Sequence, residues 1–217
     1  MTPPAIEAVR SAPSPRLGTP SDAHLPSLLP IFFLSGGAAL AYQLCWQRLL
    51  FASFGIDIES VTIIVSTFML GLGLGALAGG RLADRWPSRL VAIFAVCELG
   101  IGLFGLVSEP LIRSVASATV TSPRATVATV NFALLLIPTS LMGATLPLLV
   151  THATLRTRSV GTSIGRLYFA NTLGAAVATL SLAMFGFGAL DIRTLIRVAA
   201  AINFIVAATV ALRFRGP

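Results

Sequence analysis

The residues with the most chemistry to offer are polar side chains set deep inside long apolar runs. Glu98 is the tenth residue of the twenty-residue apolar run 89–108. A carboxyl group at the centre of a membrane is costly unless it is paired, protonated or facing a cavity. Such a residue therefore indicates either a structural tie between helices or a functional site.

Polar side chains on three other runs fall at a similar depth. Gln43 lies near the middle of the first run, Asn171 near the middle of the fifth, and Thr139 and Ser140 near the middle of the fourth. Glu98 and Asn171 share their helix faces with small residues, which favours an orientation into a bundle rather than toward lipid. The sequence thus predicts a polar layer across four helices.

Two interpretations of this layer stand side by side. In one, Glu98 is neutral or salt-bridged, and the amides and hydroxyls hold the helices together. In the other, the layer lines a cavity for a small polar or amine-bearing solute, with Glu98 as proton site or counter-charge. Arg48 and Arg166 are alternative partners for Glu98, one toward each membrane face. The predicted cavity residues are Glu98, Gln43, Asn171, Tyr42, Tyr168, Arg48 and Arg166.

The composition is that of a membrane protein. Hydrophobic residues make up 55% of the chain and charged residues 11%, whereas soluble domains carry about 25% charged residues. All 15 basic residues are arginine, and nearly all lie between apolar runs. Membrane topology explains them better than nucleic-acid binding. The sequence predicts no catalytic motif, metal site or cofactor, so we expect no enzyme activity from this chain.

The apolar runs give the domain organisation. Residues 1–30 hold seven of the 13 prolines and are predicted to be a disordered cytoplasmic tail. A transmembrane domain of six helices is predicted over 31–213, because a spanning helix needs about 20 apolar residues. Nine arginines fall on the side of both termini and four on the other, which predicts cytoplasmic termini. The predicted spans are 31–54, 60–80, 89–108, 126–150, 160–186 and 192–212.

Glycine and proline positions refine the predicted helices. Gly71, Gly75 and Gly79 recur every four residues on the second helix, which lets another helix approach closely. Packing inside one bundle is favoured over a dimer seam. Pro30 is predicted to open the first helix, and Pro87 and Pro110 to bracket the third. Pro138 and Pro147 interrupt the fourth helix, where Thr139, Ser140 or Thr145 is predicted to satisfy a freed carbonyl, and a static kink is favoured over a moving hinge.

The loop after the second helix resembles a motif of the major facilitator transporters. It reads Gly80-Arg-Leu-Ala-Asp84-Arg85-Trp-Pro-Ser-Arg89, against the family signature G-x-x-x-D-R-x-x-R. The resemblance implies a conformational role for Gly80, Asp84, Arg85 and Arg89. The alternative is a set of basic membrane anchors, with Asp84 capping the next helix.

A wider resemblance covers residues 31–212. The segments FLSGGAALAYQLCWQRLL, FMLGLGLGALAGGRLADR, ELGIGLFGLVSE, IPTSLMGATLPLLV and GRLYFANTLGAAVA are similar to the membrane half of the spermidine-synthase-like fused proteins. The residues at motif positions are Tyr42, Trp46, Arg48, Asp84, Arg85, Glu98, Tyr168 and Asn171. Gln43 stands where that family usually has an acid, and no soluble aminopropyltransferase domain follows, so aminopropyl transfer is not implied.

Together these patterns predict an all-α integral membrane protein that is half of a facilitator-like bundle. A weak echo of Gly80 to Arg85 in Gly188 to Arg193 suggests a three-plus-three inverted repeat. The predicted function is a transport-like or sensing module for a small polar or amine-bearing solute. The alternative is a membrane anchor or accessory subunit for a spermidine-synthase-like enzyme or a larger complex. The expected partners are the lipid bilayer of the bacterial inner membrane and a second copy or another subunit.

Overall fold

Six long helices make up the structure, a computed structural model that describes residues 25–54 and 58–214. These residues contain no strand, and all six helices are long and apolar enough to cross a membrane. The prediction of an all-α, six-span membrane protein is confirmed. The helices are α1 Leu25–Phe54, α2 Ile58–Arg85, α3 Leu90–Ala118, α4 Arg124–Thr157, α5 Val160–Ser181 and α6 Ile192–Arg213.

The helices extend beyond the predicted spans at several ends. α1 begins at Leu25, so Pro30 lies inside the helix instead of opening it, and residues 1–24 of the predicted tail lie outside the described residues. α3 likewise runs through Pro110 to Ala118. Near the start of α1, Pro30 removes only one N–H donor, so the helix can include it. The apolar part of each helix is also shorter than the helix itself. Hydropathy therefore set these boundaries too short.

The connections between helices are short and use local caps. A 3₁₀ turn, Pro87–Arg89, joins α2 to α3. The N-cap residue of this turn is Trp86, that of α3 is Arg89, and neither side chain makes a capping hydrogen bond. Asp84 lies inside α2. The alternative in which Asp84 caps the next helix is therefore wrong. α5 continues through a π-helical segment, Leu182–Gly186, and a last turn, Phe187–Ala189. Asp191 then caps α6, and its bonds from the Thr194 hydroxyl and N–H hold the pKa of this carboxyl below its ordinary value.

The bundle packs as two similar halves. α2 packs mainly on α4, α1 packs mainly on α5, and α3 packs on α6. In a three-plus-three repeat, α1 corresponds to α4, α2 to α5 and α3 to α6. The α2–α4 pair then corresponds to the α5–α1 pair, and the α3–α6 pair corresponds to itself. This is the arrangement expected from the three-plus-three repeat.

Close contacts of backbone repeat the same relation in detail. Gly143 on α4 meets the backbone of Leu72, as Gly36 on α1 meets that of Asn171. Gly75, three residues after Leu72, meets the carbonyl of Ser140, three residues before Gly143. In the same way Gly174, three residues after Asn171, meets the carbonyl of Phe33, three residues before Gly36. The spacing of three residues is the same on all four helices. The two halves therefore use equivalent positions to bring helix backbones together.

Gly71, Gly75 and Gly79 pack inside the chain, as favoured from the sequence. A methyl group at Gly71 would overlap Thr139, and one at Gly75 would overlap the carbonyl of Ser140. One at Gly79 would lie 2.6 Å from the carbonyl oxygen of Ala144. These three glycines are therefore the contact surface between α2 and α4.

The prolines of α4 do not interrupt the helix, which is continuous from Arg124 to Thr157. Pro138 and Pro147 remove the donors that would bond the carbonyls of Leu134 and Gly143. The nearby hydroxyls donate to other carbonyls instead. Thr139 and Ser140 bond Leu135 and Leu136 at 2.7–3.1 Å, and Thr145 bonds Met142 at 2.7 Å. The prediction that these hydroxyls satisfy the freed carbonyls is therefore wrong, because a hydroxyl reaches only the carbonyl three or four residues before it.

Two apolar clusters fill the bundle, and a polar layer separates them. One cluster contains Phe32, Phe94 and Val206, and the other contains Ala38, Ile101 and Ala199. Between them on the same three helices lie Ser35, Glu98 and Asn203, all buried. Of the residues predicted to form a polar layer, only Glu98 belongs to this buried group, which is built from α1, α3 and α6 and not from the predicted four helices.

Candidate functional site

Glu98 lies at the centre of the polar layer and is completely enclosed by protein. The Ser35 hydroxyl on α1 donates to Oε1 at 2.6 Å, and the Asn203 amide on α6 donates to Oε2 at 2.6 Å. Each carboxyl oxygen therefore accepts one short hydrogen bond. Bonds of this length to a carboxylate are stronger than neutral ones, and they tie three helices together.

The small residues that share the face of Glu98 also point into the bundle. A methyl group at Gly102 would lie 2.8 Å from the Phe204 ring, and one at Gly105 would lie 2.6 Å from the Tyr42 ring. The sequence argument for an inward orientation of Glu98 is thus correct for its whole helix face.

Neither arginine proposed as a partner takes that role. Both carboxyl bonds of Glu98 come from Ser35 and Asn203. The Arg48 guanidinium lies 3.6 Å from the centre of the Phe187 ring, at the turn that follows the π-helical segment. Arg166 is on an exposed position of α5. Long cationic side chains on a membrane helix extend toward the interface, which removes them from the central layer.

Ser35 and Asn203 were not found from the sequence, although a signal existed for each. Asn203 is the twelfth of the 22 residues of α6, so depth alone would have placed it in the layer. Ser35 is the eleventh residue of α1 but only the fifth of the predicted span, because that span began at Ile31. An error in one helix start therefore hid the partner of Glu98.

A cavity of about 310 Å³ opens beside the layer, between the α1–α5 and α2–α4 pairs. This volume is at the lower end of the roughly 300–1,000 Å³ typical of small-molecule sites. Its walls are mostly apolar, and Ile101 and Asn203 close its inner end. The polar residues among those that line it are Ser35, Gln43, Thr145, Tyr168, Asn171 and Asn203.

The structure brings together three of the predicted cavity residues, Gln43, Tyr168 and Asn171. Glu98 is behind the cavity wall, where it contacts the two wall residues Ser35 and Asn203 instead of lining the space itself. It is therefore connected to the cavity only through the two residues that donate hydrogen bonds to it.

Asn203 connects the buried acid with the cavity. Its amide nitrogen donates to Glu98, while its side-chain oxygen has no hydrogen-bond partner among the described residues, although it is buried. An unpaired buried acceptor costs about 1–3 kcal/mol. The acid therefore occupies the donor end of the amide, and the acceptor end is enclosed by protein without a partner among the described residues.

Tyr42 is not part of the cavity. Its ring stacks on Trp46 with centroids 5.1 Å apart, and its buried hydroxyl has no partner among the described residues. Trp46 donates from its indole nitrogen to Ser108 at 2.9 Å. Tyr42 and Trp46 thus form a rigid aromatic block beside the polar layer.

A second buried acid lies on α3 three turns beyond the first. Glu109 accepts two hydrogen bonds from Arg193 of α6, at 2.6 and 3.1 Å, and one from Arg113 at 3.0 Å. None of these three residues was predicted from the sequence to belong to a site. The paired arrangement of Arg193 and Glu109 has the two-pronged geometry that makes such bonds specific. It fastens α3 to α6 at the end of the bundle opposite the start of α1 and the end of α6.

The loop residues of the facilitator-like motif lie at the surface. Asp84, Arg85 and Arg89 are exposed, and Gly80 is partly buried near the end of α2. The Arg85 guanidinium lies 5.6 Å from the Trp86 ring centre. None of the four lines the cavity.

No protein-family model matches this chain, and it has no match among curated proteins or among solved structures. The function must therefore be inferred from the geometry.

Proposed function

We propose that this chain binds a small polar solute with hydrogen-bond donors, such as an amine, in the mid-membrane cavity, as part of a transport or sensing function. The observation that carries the proposal is the cavity-lining residue Asn203, whose amide nitrogen donates to Glu98 and whose buried side-chain oxygen has no hydrogen-bond partner among the described residues. Gln43 and Asn171 add further polar groups on the wall.

The chemistry favours a cationic solute over a neutral one. Asn203 presents an acceptor, and an ionised Glu98 behind it adds a negative field in a medium of low dielectric constant. An ammonium group has three donors and a positive charge, so it satisfies both features. We assign Glu98 to positioning and counter-charge, and Asn203 to direct contact.

We also propose a family relationship and a cellular location for this chain. Equivalent packing of the two halves is in keeping with the resemblance to half of a facilitator transporter and to the membrane part of spermidine-synthase-like fused proteins. We place the chain in a bacterial inner membrane with both termini in the cytoplasm, on the distribution of its arginines.

Binding to the purified protein in lipid nanodiscs tests the proposal. We expect diaminobutane to bind at least about tenfold more tightly than butanediol, which has a similar length and no charge. Asn203→Leu removes the acceptor and should weaken diaminobutane binding by about tenfold or more. Ala201→Leu, on an exposed position of the same helix, should leave it unchanged.

Two results would contradict this assignment. Equal binding by the wild type and Asn203→Leu would remove Asn203 from the site. Absence of binding by any of the small amines, together with recovery of a foreign subunit in fixed stoichiometry, would favour the accessory-subunit alternative instead.

A further inference from the structure

A groove runs along the outside of the bundle with α1 as its floor. α1 packs against both α5 and α6, whereas α5 and α6 do not pack extensively against each other. Three successive cavities lie along α1, with volumes of about 550, 200 and 660 Å³. α1 and α6 line the first cavity, and residues C-terminal to α1 on α5 and its continuation join them in the other two.

The three cavities follow one another without a break. Leu34 lines both the first cavity and the central one. Leu182 and Ala183 are consecutive residues of the π-helical segment, and they line the central and the last cavity. On α1 the lining residues recur every three or four positions, which keeps them on one face of the helix. We call this space the side groove, and its row on α1 is Pro30, Leu34, Gly37, Ala41, Leu44 and Arg48.

The side groove is apolar in the middle and has an arginine at each end. The central cavity is lined by glycine and apolar residues and by one hydroxyl residue, Ser181. Arg213 lines the end where α1 begins, and Arg48 lines the opposite end. Both arginines are exposed. The Arg48 guanidinium lies 3.6 Å from the ring centre of Phe187, which lines the same end of the groove.

Neither arginine is neutralised by a carboxylate whose side chain the structure describes. These carboxylates are Asp84, Glu98, Glu109 and Asp191. Glu109 pairs with Arg113 and Arg193, and none of the four forms an ion pair with Arg48 or Arg213. Basic groups in pockets between membrane helices attract anionic lipid headgroups. The charge at each end of the groove therefore favours an anion.

The separation of the two arginines matches the thickness of a bilayer. Ile192 lines the groove at the same end as Arg48, and Arg213 is 21 residues further along α6. At 1.5 Å per residue this corresponds to about 32 Å. The hydrocarbon core of a membrane is about 30 Å thick. One arginine therefore lies near the headgroups of each leaflet, with the apolar part of the groove between them.

We propose that the side groove binds two anionic phospholipids, one from each leaflet. The phosphate of one lipid accepts hydrogen bonds from Arg213 and that of the other from Arg48, since a guanidinium group donates to phosphate oxygens in a planar fork. The acyl chains lie along α1 toward the centre of the groove. The groove is separate from the cavity that contains Asn203, so this inference does not depend on the proposed function.

Native mass spectrometry of the purified full chain tests the inference. The probes are dioleoyl phosphatidylglycerol and dioleoyl phosphatidylcholine, which have the same acyl chains, and only the first carries a net negative charge. We expect the wild type to retain two molecules of phosphatidylglycerol, each bound about fivefold or more tightly than phosphatidylcholine, because one arginine near the membrane surface contributes about that factor. Equal affinities for the two lipids would overturn the proposal.

Substitutions at exposed positions then assign each lipid to its arginine. Arg213→Gln and Arg48→Gln should each leave one tightly bound phosphatidylglycerol, and the double variant should leave none. Arg213→Lys keeps the charge and should retain both lipids. Arg156→Gln, on an exposed position near the end of α4 that does not line the groove, should also retain both. A double variant that still prefers phosphatidylglycerol, or an equal loss in Arg156→Gln, would contradict the assignment.

Discussion

Glu98 illustrates how a membrane protein retains a carboxyl group at its centre. Both oxygens accept short hydrogen bonds from Ser35 and Asn203, and no part of the side chain is exposed. The same two bonds fix the direction of the Asn203 amide, so one buried acid sets the chemistry of a wall that it does not itself form. Glu109 repeats the device near the helix end, where two arginines replace the neutral donors.

Removal of the Ser35 hydroxyl measures how much its hydrogen bond to Glu98 contributes to stability. We expect Ser35→Ala to lower the free energy of unfolding by about 1–2 kcal/mol, because a buried carboxyl oxygen loses its only hydrogen-bond partner. This exceeds the roughly 0.6 kcal/mol average for a hydrogen bond between membrane helices. The measurement is reversible unfolding in mixed micelles. Ser114→Ala, whose exposed hydroxyl bonds only its own helix, is the control and should change little. A loss for Ser35→Ala no larger than the control would mean that this bond contributes nothing.

At the scale of helices, small residues decide which surfaces pack inside the chain and which remain open. On α2, Gly71, Gly75 and Gly79 face α4, whereas Gly73 and Gly80 have no neighbouring atom within 4 Å of the position that a methyl group would occupy. Helical spacing alone separates them into two faces. The sequence supported the packing of Gly71, Gly75 and Gly79 by their four-residue spacing, and Gly73, two residues after Gly71, lies outside that row.

A matched pair of substitutions on α2 tests this division. Gly75→Ala places a methyl group against the backbone of α4, which has no room to move, and we expect it to destabilise the protein by about 1–3 kcal/mol. Gly73→Ala adds the same group in open space and should leave the melting temperature of the isolated chain within about a degree. Thermal unfolding in a detergent that keeps the protein monomeric compares the two. Equal destabilisation by both would show that the split between the faces is wrong.

At the scale of the whole molecule, the fold was predictable from hydropathy because the bilayer demands six continuous apolar runs. The positions of Gln43 and Asn171 on the cavity wall followed from their depth along the helices. What depth does not give is the rotation of each helix and its true end. For that reason Tyr42 was placed in the cavity, Arg48 and Arg166 were offered as partners of Glu98, and Ser35 was overlooked.

The symmetry of the bundle also belongs to this scale. From the sequence, the repeat could be anticipated only from the similarity of two short segments, one around Asp84 and one around Asp191. In the structure, the equivalent backbone contacts of Gly36 and Gly143 show it directly. Since the halves are equivalent, the cavity lies between them, and Glu98 lies where both apolar clusters end.

The most direct measurement is calorimetric titration of diaminobutane and butanediol into the wild type and Glu98→Gln in nanodiscs. Glutamine can accept from Asn203 and donate to Ser35, so this change removes the charge and keeps the hydrogen bonds. A unit charge one residue away contributes on the order of 2 kcal/mol. We therefore predict that diaminobutane binds Glu98→Gln at least about tenfold more weakly than the wild type, while butanediol binds both equally. Unchanged diaminobutane affinity would contradict the account.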